Sequence, residues 1–458
     1  MKKAILFLVS FFYFTCSIAQ KLPAFKLLRY DEDYSVLKDD SIKNYYTQAK
    51  YVPLNKNGNT FLSIGGDVRQ QYFYIKNEDW GAAPKDKDGY IFSRLLTHAD
   101  LHAGKYFRTY VELQSSLANG KEYPNSPIDE NQLDLHQTFF DLALPYGKQE
   151  QLVLRTGRQE LLYGTQRLVS VKEGANSRQA FDAVKLMYQG SRVKVDAFLS
   201  HPVRPKQGIF DDKFNKQTKF WGGYAVVNSV PVIHNLDLYY LGLLRTKSVF
   251  DDGIGRELRH SAGARIWKTS DPWQYDFEAL YQWGKFGAKQ ISAWTVSSNT
   301  TYTIQSLKHS AQINLKAELI SGDRQYDDQK LQTFNPLFPK GAYFGLASLI
   351  GPSNLIDLHP SFMIELTKTF LYEVDYDLFW RFSKNDGIYG PAGLLIYSGR
   401  NSKQKFIGSQ LATYLSYNPS QFFSLQAELT WFKAGPYLKD VGPGKNILFT
   451  AFTVQCKF

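Results

Sequence analysis

The sequence predicts an all-β chain, a transmembrane antiparallel β-barrel of about 18 strands with short periplasmic turns and long extracellular loops. Three observations predict it. Apolar and polar residues alternate with period two in segment after segment from Thr60 onward. The links between those segments alternate between short and long. The sequence also ends inside such a segment: Phe458, Cys456, Val454 and Phe452 interleave with Lys457, Gln455 and Thr453, where a soluble domain usually leaves a frayed polar tail.

The alternation comes first. "YFRTYVELQ" sets Phe107, Thr109, Val111 and Leu113 against Arg108, Tyr110, Glu112 and Gln114. "YDFEALYQW" sets Tyr275, Phe277, Ala279, Tyr281 and Trp283 against Asp276, Glu278 and Gln282. "YEVDYDLFWRF" sets Val374, Tyr376, Leu378, Trp380 and Phe382 against Glu373, Asp375, Asp377 and Arg381. Successive strand side chains point to opposite faces. The polar faces carry both charge signs and the apolar faces are rich in Tyr and Trp, which suits a barrel with lipid outside and water inside.

The links sharpen the reading. Those after even-numbered strands are short (103–105, 190–192, 231–235, 270–272, 367–370, 419–422), and those after odd-numbered strands are long (77–89, 119–132, 161–179, 203–219, 323–353, 388–405, 435–445). Short turns at one rim and long loops at the other mark outer-membrane barrels, whereas a multi-domain sandwich predicts no such rhythm. In hydrocarbon an unpaired backbone group costs several kcal/mol, so the sheet must close and its last strand must zip against its first. A final aromatic on an outward-alternating strand is expected to be read by the insertion machinery of Gram-negative outer membranes.

Composition agrees. Aromatics are 16% of residues, with 30 Tyr and 33 Phe, yet the mean hydropathy is −0.35. "MKKAILFLVSFFYFTCSIAQ" has a charged start, a short apolar run and small residues before Gln20, the pattern of a signal peptide cleaved after Ala19. The expected division is residues 1–19 as signal peptide, 20–59 as a solvated periplasmic lead-in and 60–458 as the barrel, in the outer membrane of a Gram-negative bacterium. Cleavage removes Cys16, leaving the lipid-facing Cys456 and no intramolecular disulfide. It also removes two lysines and no acid, so the surplus of 11 positive charges falls to 9. That surplus reads either as a solubilising, headgroup-facing surface or as attraction for anions.

Four stretches carry a resemblance to a known family: "LSIGGDVRQQYFY", "RLLTHADLHAGKYFRTYVELQSS", "GRQELLYGTQRLVSVKEGANSRQAFDAVKL" and "FNPLFPKGAYFG". Together they resemble the alginate-export family of outer-membrane porins, from about Arg29 to Phe458. The resemblance implies an 18-stranded monomeric barrel with an electropositive pore for an anionic polysaccharide. It leaves open the identity of the substrate.

Parity assigns the pore-facing residues. Asp67 and Arg69 lie opposite Val68 and Tyr72; Arg94, His98, Asp100 and His102 opposite Leu95, Ala99 and Leu101; Asp141 opposite Phe140 and Leu142. Lys185, Arg265, Lys316 and Arg381 follow the same rule. Arg158, Arg167 and Arg178, with Lys185 and Arg94, are the candidates for gripping carboxylates through paired hydrogen bonds. Arg158 has the parity of Leu154 and Thr156, so it faces the pore only if a bulge or strand end turns it inward. Each charge reads in one of two ways, as a brace in a wall ladder or as part of a row of weak sites that lets a polyanion enter and leave. The loop 323–353, rigid at "FNPLFPKGAYFG", is the candidate for narrowing the pore.

Other chemistry is not expected. The sequence has no nucleophile elbow, Walker loop or HExxH motif, and His136 and His201 lack convincing Ser and acid partners, so no enzyme is expected. His98 and His102 lie about 13 Å apart at the strand rise, too far to share an ion. The acids 31–33 and 39–40 lack a calcium-loop pattern and read as solvated. No cofactor, metal or nucleic-acid partner is expected; the expected partners are an anionic oligo- or polysaccharide, the lipid bilayer and the insertion machinery. The alternative is a general or nutrient-uptake channel of different selectivity.

Overall fold

The computed structural model describes residues 22–39, 44–147, 150–270, 272–305 and 309–458. The signal-peptide pattern, its Cys16 and Asp40 lie outside the described residues. Eighteen long strands form one antiparallel sheet: β1 Thr60–Lys76, β2 Tyr90–Ala103, β3 Phe107–Asn119, β4 Asn131–Tyr146, β5 Glu150–Gln159 and β6 Phe181–Gln189. Then come β7 Val193–Arg204, β8 Thr218–Val230, β9 His234–Phe250, β10 Gly253–Lys268, β11 Trp273–Phe286 and β12 Lys289–Ile304. Last are β13 Ala311–Ile320, β14 Leu355–Glu365, β15 Phe370–Arg381, β16 Phe406–Ser420, β17 Phe423–Ala434 and β18 Ile447–Lys457.

Each strand pairs with its sequence neighbours, and β18 pairs with β1 from Asp67↔Lys457 to Lys76↔Leu448, which closes the barrel. No helix among the described residues is long and apolar enough to cross a membrane. The predicted faces hold: Val68, Tyr72, Leu95, Val111 and Tyr281 are exposed, while Asp67, Arg69, Arg94, Glu112 and Gln282 are buried in the interior.

Two findings depart from the expectations. First, not every odd-numbered strand is followed by a long loop. β9–β10 and β11–β12 are joined by residues 251–252 and 287–288 alone, with Gly287 at φ 56°, the left-handed conformation a two-residue hairpin needs. Second, the interior is not uniformly wet. Towards the long-loop rim the inward face turns apolar, with Phe73, Phe92, Phe181, Phe198, Phe220 and Leu243. On β6–β8 these side chains are covered by two loops, 160–180 and 321–354, folded into the bore, with Phe338 edge-on to Phe181 and Phe220. Leu168, Val169, Phe334 and Phe338 of the loops join the same core. Burying each such side chain contributes about 1.5–3 kcal/mol, which holds the loops in place. A parallel bridge between Val169 and Phe338 ties the two loops together: Ser170 N donates to Phe338 O, and Phe338 N to Leu168 O, each at 2.9 Å.

The lead-in is not a solvated arm. Tyr30 enters the bore, is 2% exposed, and packs on the inward-facing Tyr110 and Phe139, with its hydroxyl donating to Glu160 O at 2.8 Å. Glu32, expected to be solvated, is buried against Arg29 (2.6 Å). Arg29 donates to Gly66 O and Phe458 O, and the ammonium of Lys50, at the end of helix Tyr45–Lys50, donates to Phe458 O at 3.1 Å. The pair Gly65-Gly66 makes room for this. A Cβ at Gly65 would sit 2.2 Å from Lys50 Nζ, and one at Gly66 2.7 Å from the Phe458 ring.

Candidate lumenal binding site

Four of the predicted pore residues converge on one place. Asp67 and Arg69 come from β1, Arg94 from β2, and Arg178 from the end of the 160–180 loop. The first three are brought together because their strands pair with Arg69 directly across from Arg94. Their common partner is Glu173, carried on the loop. Arg94 ion-pairs with it, Arg178 reaches its second oxygen at 3.0 Å and Arg69 its first at 3.5 Å. The three guanidinium groups are at most 5% exposed, whereas the Glu173 side chain is 32% exposed. Although burial alone raises a carboxyl pKa, Arg94, Arg178 and Arg69 hold Glu173 well below the usual carboxylate range. Asp67 offsets part of the cationic surplus, 3.5 Å from Arg94. Behind this cluster, burial pushes Glu160 up to about 7 against the pull of Arg178.

The other predicted residues lie along the wall in separate ion pairs. Asp141 accepts two parallel bonds from Arg155 (2.7 and 2.8 Å), whose guanidinium also lies over the Phe139 and Tyr30 rings. Lys185 sits 3.4 Å from Asp196. Arg265 bridges Asp237 (2.7 Å) and Asp276 (2.5 Å). Arg167, borne on the 160–180 loop, reaches across to Glu278 (3.1 Å) and Glu318 (2.7 Å), and Lys316 is 3.5 Å from Glu318. Arg167, Lys316 and Lys340 line a cavity of about 110 Å³ with Glu318, Asp276 and Tyr343. Burial and the neighbouring Lys316 push Lys340 down to about 8.

Two predicted residues lie elsewhere. Arg158 keeps the outward backbone parity of Leu152 and Leu154, since its strand holds register through Thr138↔Arg158 and Arg158↔Asp182. Its side chain bonds Asp182 at 2.9 Å and Leu135 O at 3.1 Å, and its guanidinium reaches a cavity that it lines with His136 and Arg178. Arg381 is wholly buried and donates to the carbonyls of Lys384, Asp386, Ser402 and Gln404 while lying over the Tyr437 ring. It organises the 382–405 loop. Of the two histidines considered for catalysis, His136 is paired with Glu160 and His201 with Asn215 O.

Sequence reasoning missed Glu173, Lys340 and Tyr343 because they lie on loops, where no periodicity points a side chain. Parity could have found Arg155, and it could have found the acids Asp357 and Glu428. With Asp375 and Asp377 these make the wall of β14–β17 acidic, whereas on β1–β6 the cations Arg69, Arg94, Arg108, Arg155 and Lys185 are matched by the acids Asp67, Asp100, Glu112, Asp134 and Asp141.

The 323–353 loop crosses the bore. Gln282 and Arg259, on β11 and β10, donate to Asn335 O and Thr333 O; Tyr343 donates to Glu318 on β13; Gln410 on β16 donates to Phe344 O. The segment thus spans from one side of the barrel to the other and narrows the passage.

Among solved structures, the fold is similar to a BenF-like porin from Pseudomonas fluorescens Pf-5 (TM-score 0.57, 8% identity, 87% of this chain and 98% of that one). It is also similar to OccD3 (OpdP) of Pseudomonas aeruginosa (TM-score 0.55, 12%, 90% and 93%) and to OccK2 (OpdF) of the same organism in complex with glucuronate (TM-score 0.54, 9%, 86% and 98%). No curated protein matches the sequence. Residues 60–446 match the family model described as alginate export. That match covers most of the sequence, and with the closed barrel it identifies an outer-membrane channel: the chain belongs to the alginate export family.

Proposed function

We propose that the channel passes an anionic carbohydrate, of oligo- or polyuronate type, passively through its charged lumen. The observation that supports this best is the triad of Arg69, Arg94 and Arg178 around one loop-borne carboxylate. Three buried guanidinium groups already hold a carboxylate at the bore, and a uronate offers the same group on each sugar. The flanking acids, Asp67 and Glu160, keep such a site weak enough for release. The similarity to a porin structure holding glucuronate supports the same class of solute. Phe458, at the closure seam, serves in this reading as the contact for the membrane-insertion machinery, and the barrel acts as a monomer.

A planar-bilayer measurement under a salt gradient tests the proposal. Anion preference is expected, with current block by oligouronates and none by neutral oligosaccharides of equal length. Cation preference without oligouronate block would overturn it. That outcome would favour the second reading, a nutrient channel of different selectivity, for which the acidic wall carrying Asp357, Asp375, Asp377 and Glu428 is the specific support.

A further inference from the structure

The acidic wall contains a group of donors that the ion-pair ladder leaves unsettled. Asp357 and His359 lie two residues apart on the inward face of β14, and Asp377 lies across from them on β15. The local sequence explains the arrangement. β14 and β15 pair regularly from Leu355↔Arg381 to Leu358↔Leu378, and pairing resumes at Ser361↔Asp375. Between these, Pro360 offers no N–H to the ladder, so it opens at His359-Pro360. The imidazole thereby faces Asp377, with Nδ1 2.6 Å from its Oδ1, and Asp375 lies 3.5 Å from Nε2. One donor atom from each of Asp357, His359 and Asp377 falls within 4.8 Å of the other two.

The charges around this group do not balance. Asp357 is 2% exposed and Asp377 wholly buried. Neither oxygen of Asp357 has a hydrogen-bond partner among the described residues. The residue directly across from Asp357 on β13 is another acid, Glu318. The neighbouring cation, Lys316, lies 3.5 Å from Glu318 and over the rings of Tyr343 and Phe344. Among the described residues Asp377 accepts one hydrogen bond, from Gln410 Nε2 at 3.0 Å, on its other oxygen. Burying carboxylates without a counter-charge is costly. The contrast with Glu112, His136 and Glu160 is informative. That trio is equally close-set, but its carboxylates are taken up by Tyr110, Gln137, His136 and Arg178.

We infer that Asp357, His359 and Asp377 form a lumenal site for a divalent first-row transition cation of the zinc class. Two carboxylates with one imidazole suit such an ion, whereas calcium and magnesium take oxygen-only shells. On binding, the ion takes His359 Nδ1 and Asp377 Oδ1, which lie 2.6 Å apart with no hydrogen-bond partner among the described residues, and any proton on that nitrogen leaves to solvent. Asp357 supplies the third ligand. The site adds positive charge to the acidic wall and thereby shifts the channel towards anions. It does not depend on which solute the channel carries.

Calorimetric titration of the untagged, chelator-stripped barrel in detergent with ZnCl2, MgCl2 and CaCl2 tests the inference. The expected result is one Zn²⁺ per chain, weakened about tenfold or more by Asp357→Asn and by His359→Gln and unaltered by Asp212→Asn, in the separate acidic group of Asp134, Asp211 and Asp212. Zinc absorption spectroscopy on the wild-type protein, which needs no variant to fold, is expected to show one imidazole nitrogen among oxygens at about 2.0–2.2 Å. Absence of saturable zinc binding, equal affinity in the variants, calcium binding as tight as zinc, or a shell without nitrogen would each overturn it.

Discussion

Three guanidinium groups, those of Arg69, Arg94 and Arg178, share the Glu173 carboxylate, and this residue-scale arrangement makes a definite prediction. Glu173→Gln removes the internal competitor while leaving the cations in place. Oligouronate block should tighten by roughly tenfold, the equivalent of about 1.4 kcal/mol or one charge-assisted contact, and the reversal potential should move towards chloride. Looser block would mean that Glu173 only positions the arginines. Arg158→Leu should leave the reversal potential unchanged, because Arg158 leaves its strand at an outward position and its charge is taken up by Asp182; a change would show that the guanidinium acts on the passing solute. Parity made Asp67, Arg69 and Arg94 legible as a group, since strand geometry fixes which side chains share a face. It also placed Arg158 outward, and the unbroken register keeps it there. Glu173 was beyond such reasoning. Its position depends on how the 160–180 loop between β5 and β6 folds back, and nothing periodic encodes that.

At the scale of the element, the strands and their inward and outward faces were legible because the bilayer imposes period two on every one of them. The loops were not, since their course follows from tertiary packing. The apolar inward residues Phe181, Phe198 and Phe220 break the greasy-outside, wet-inside rule, and the reason is visible in their neighbours: Val169, Phe334 and Phe338 cover them. An inward aromatic on an otherwise polar face is therefore a sign that a loop lies against it. The same packing makes the 323–353 loop a fixed partition. Replacing residues 334–347 with a short flexible linker should raise single-channel conductance severalfold; unchanged conductance would show that the partition does not set the bore. Lys340, Tyr343 and Phe344 leave with the segment, so oligouronate block should weaken as well.

For the whole molecule, the closure seam and the lead-in act together. Burial, and then the nearby Arg29, push the Lys50 ammonium down to about 7 from an ordinary value of 10.5. Between those values the undocked lysine binds a proton that the docked one does not, so docking of the lead-in should strengthen as pH rises across that window. Protection of residues 22–51 from protease should increase from pH 7 to about 9.5, and Lys50→Met should flatten the trend; a trend of opposite sign would contradict it. Arg29 grips carbonyls on both sides of the seam, Gly66 on β1 and Phe458 beyond β18, and these are neighbours only in a finished cylinder. The latch therefore has no purchase until the staves have met. An incompletely assembled barrel leaves this segment loose and open to proteases, so completion of the wall is the condition for fastening it.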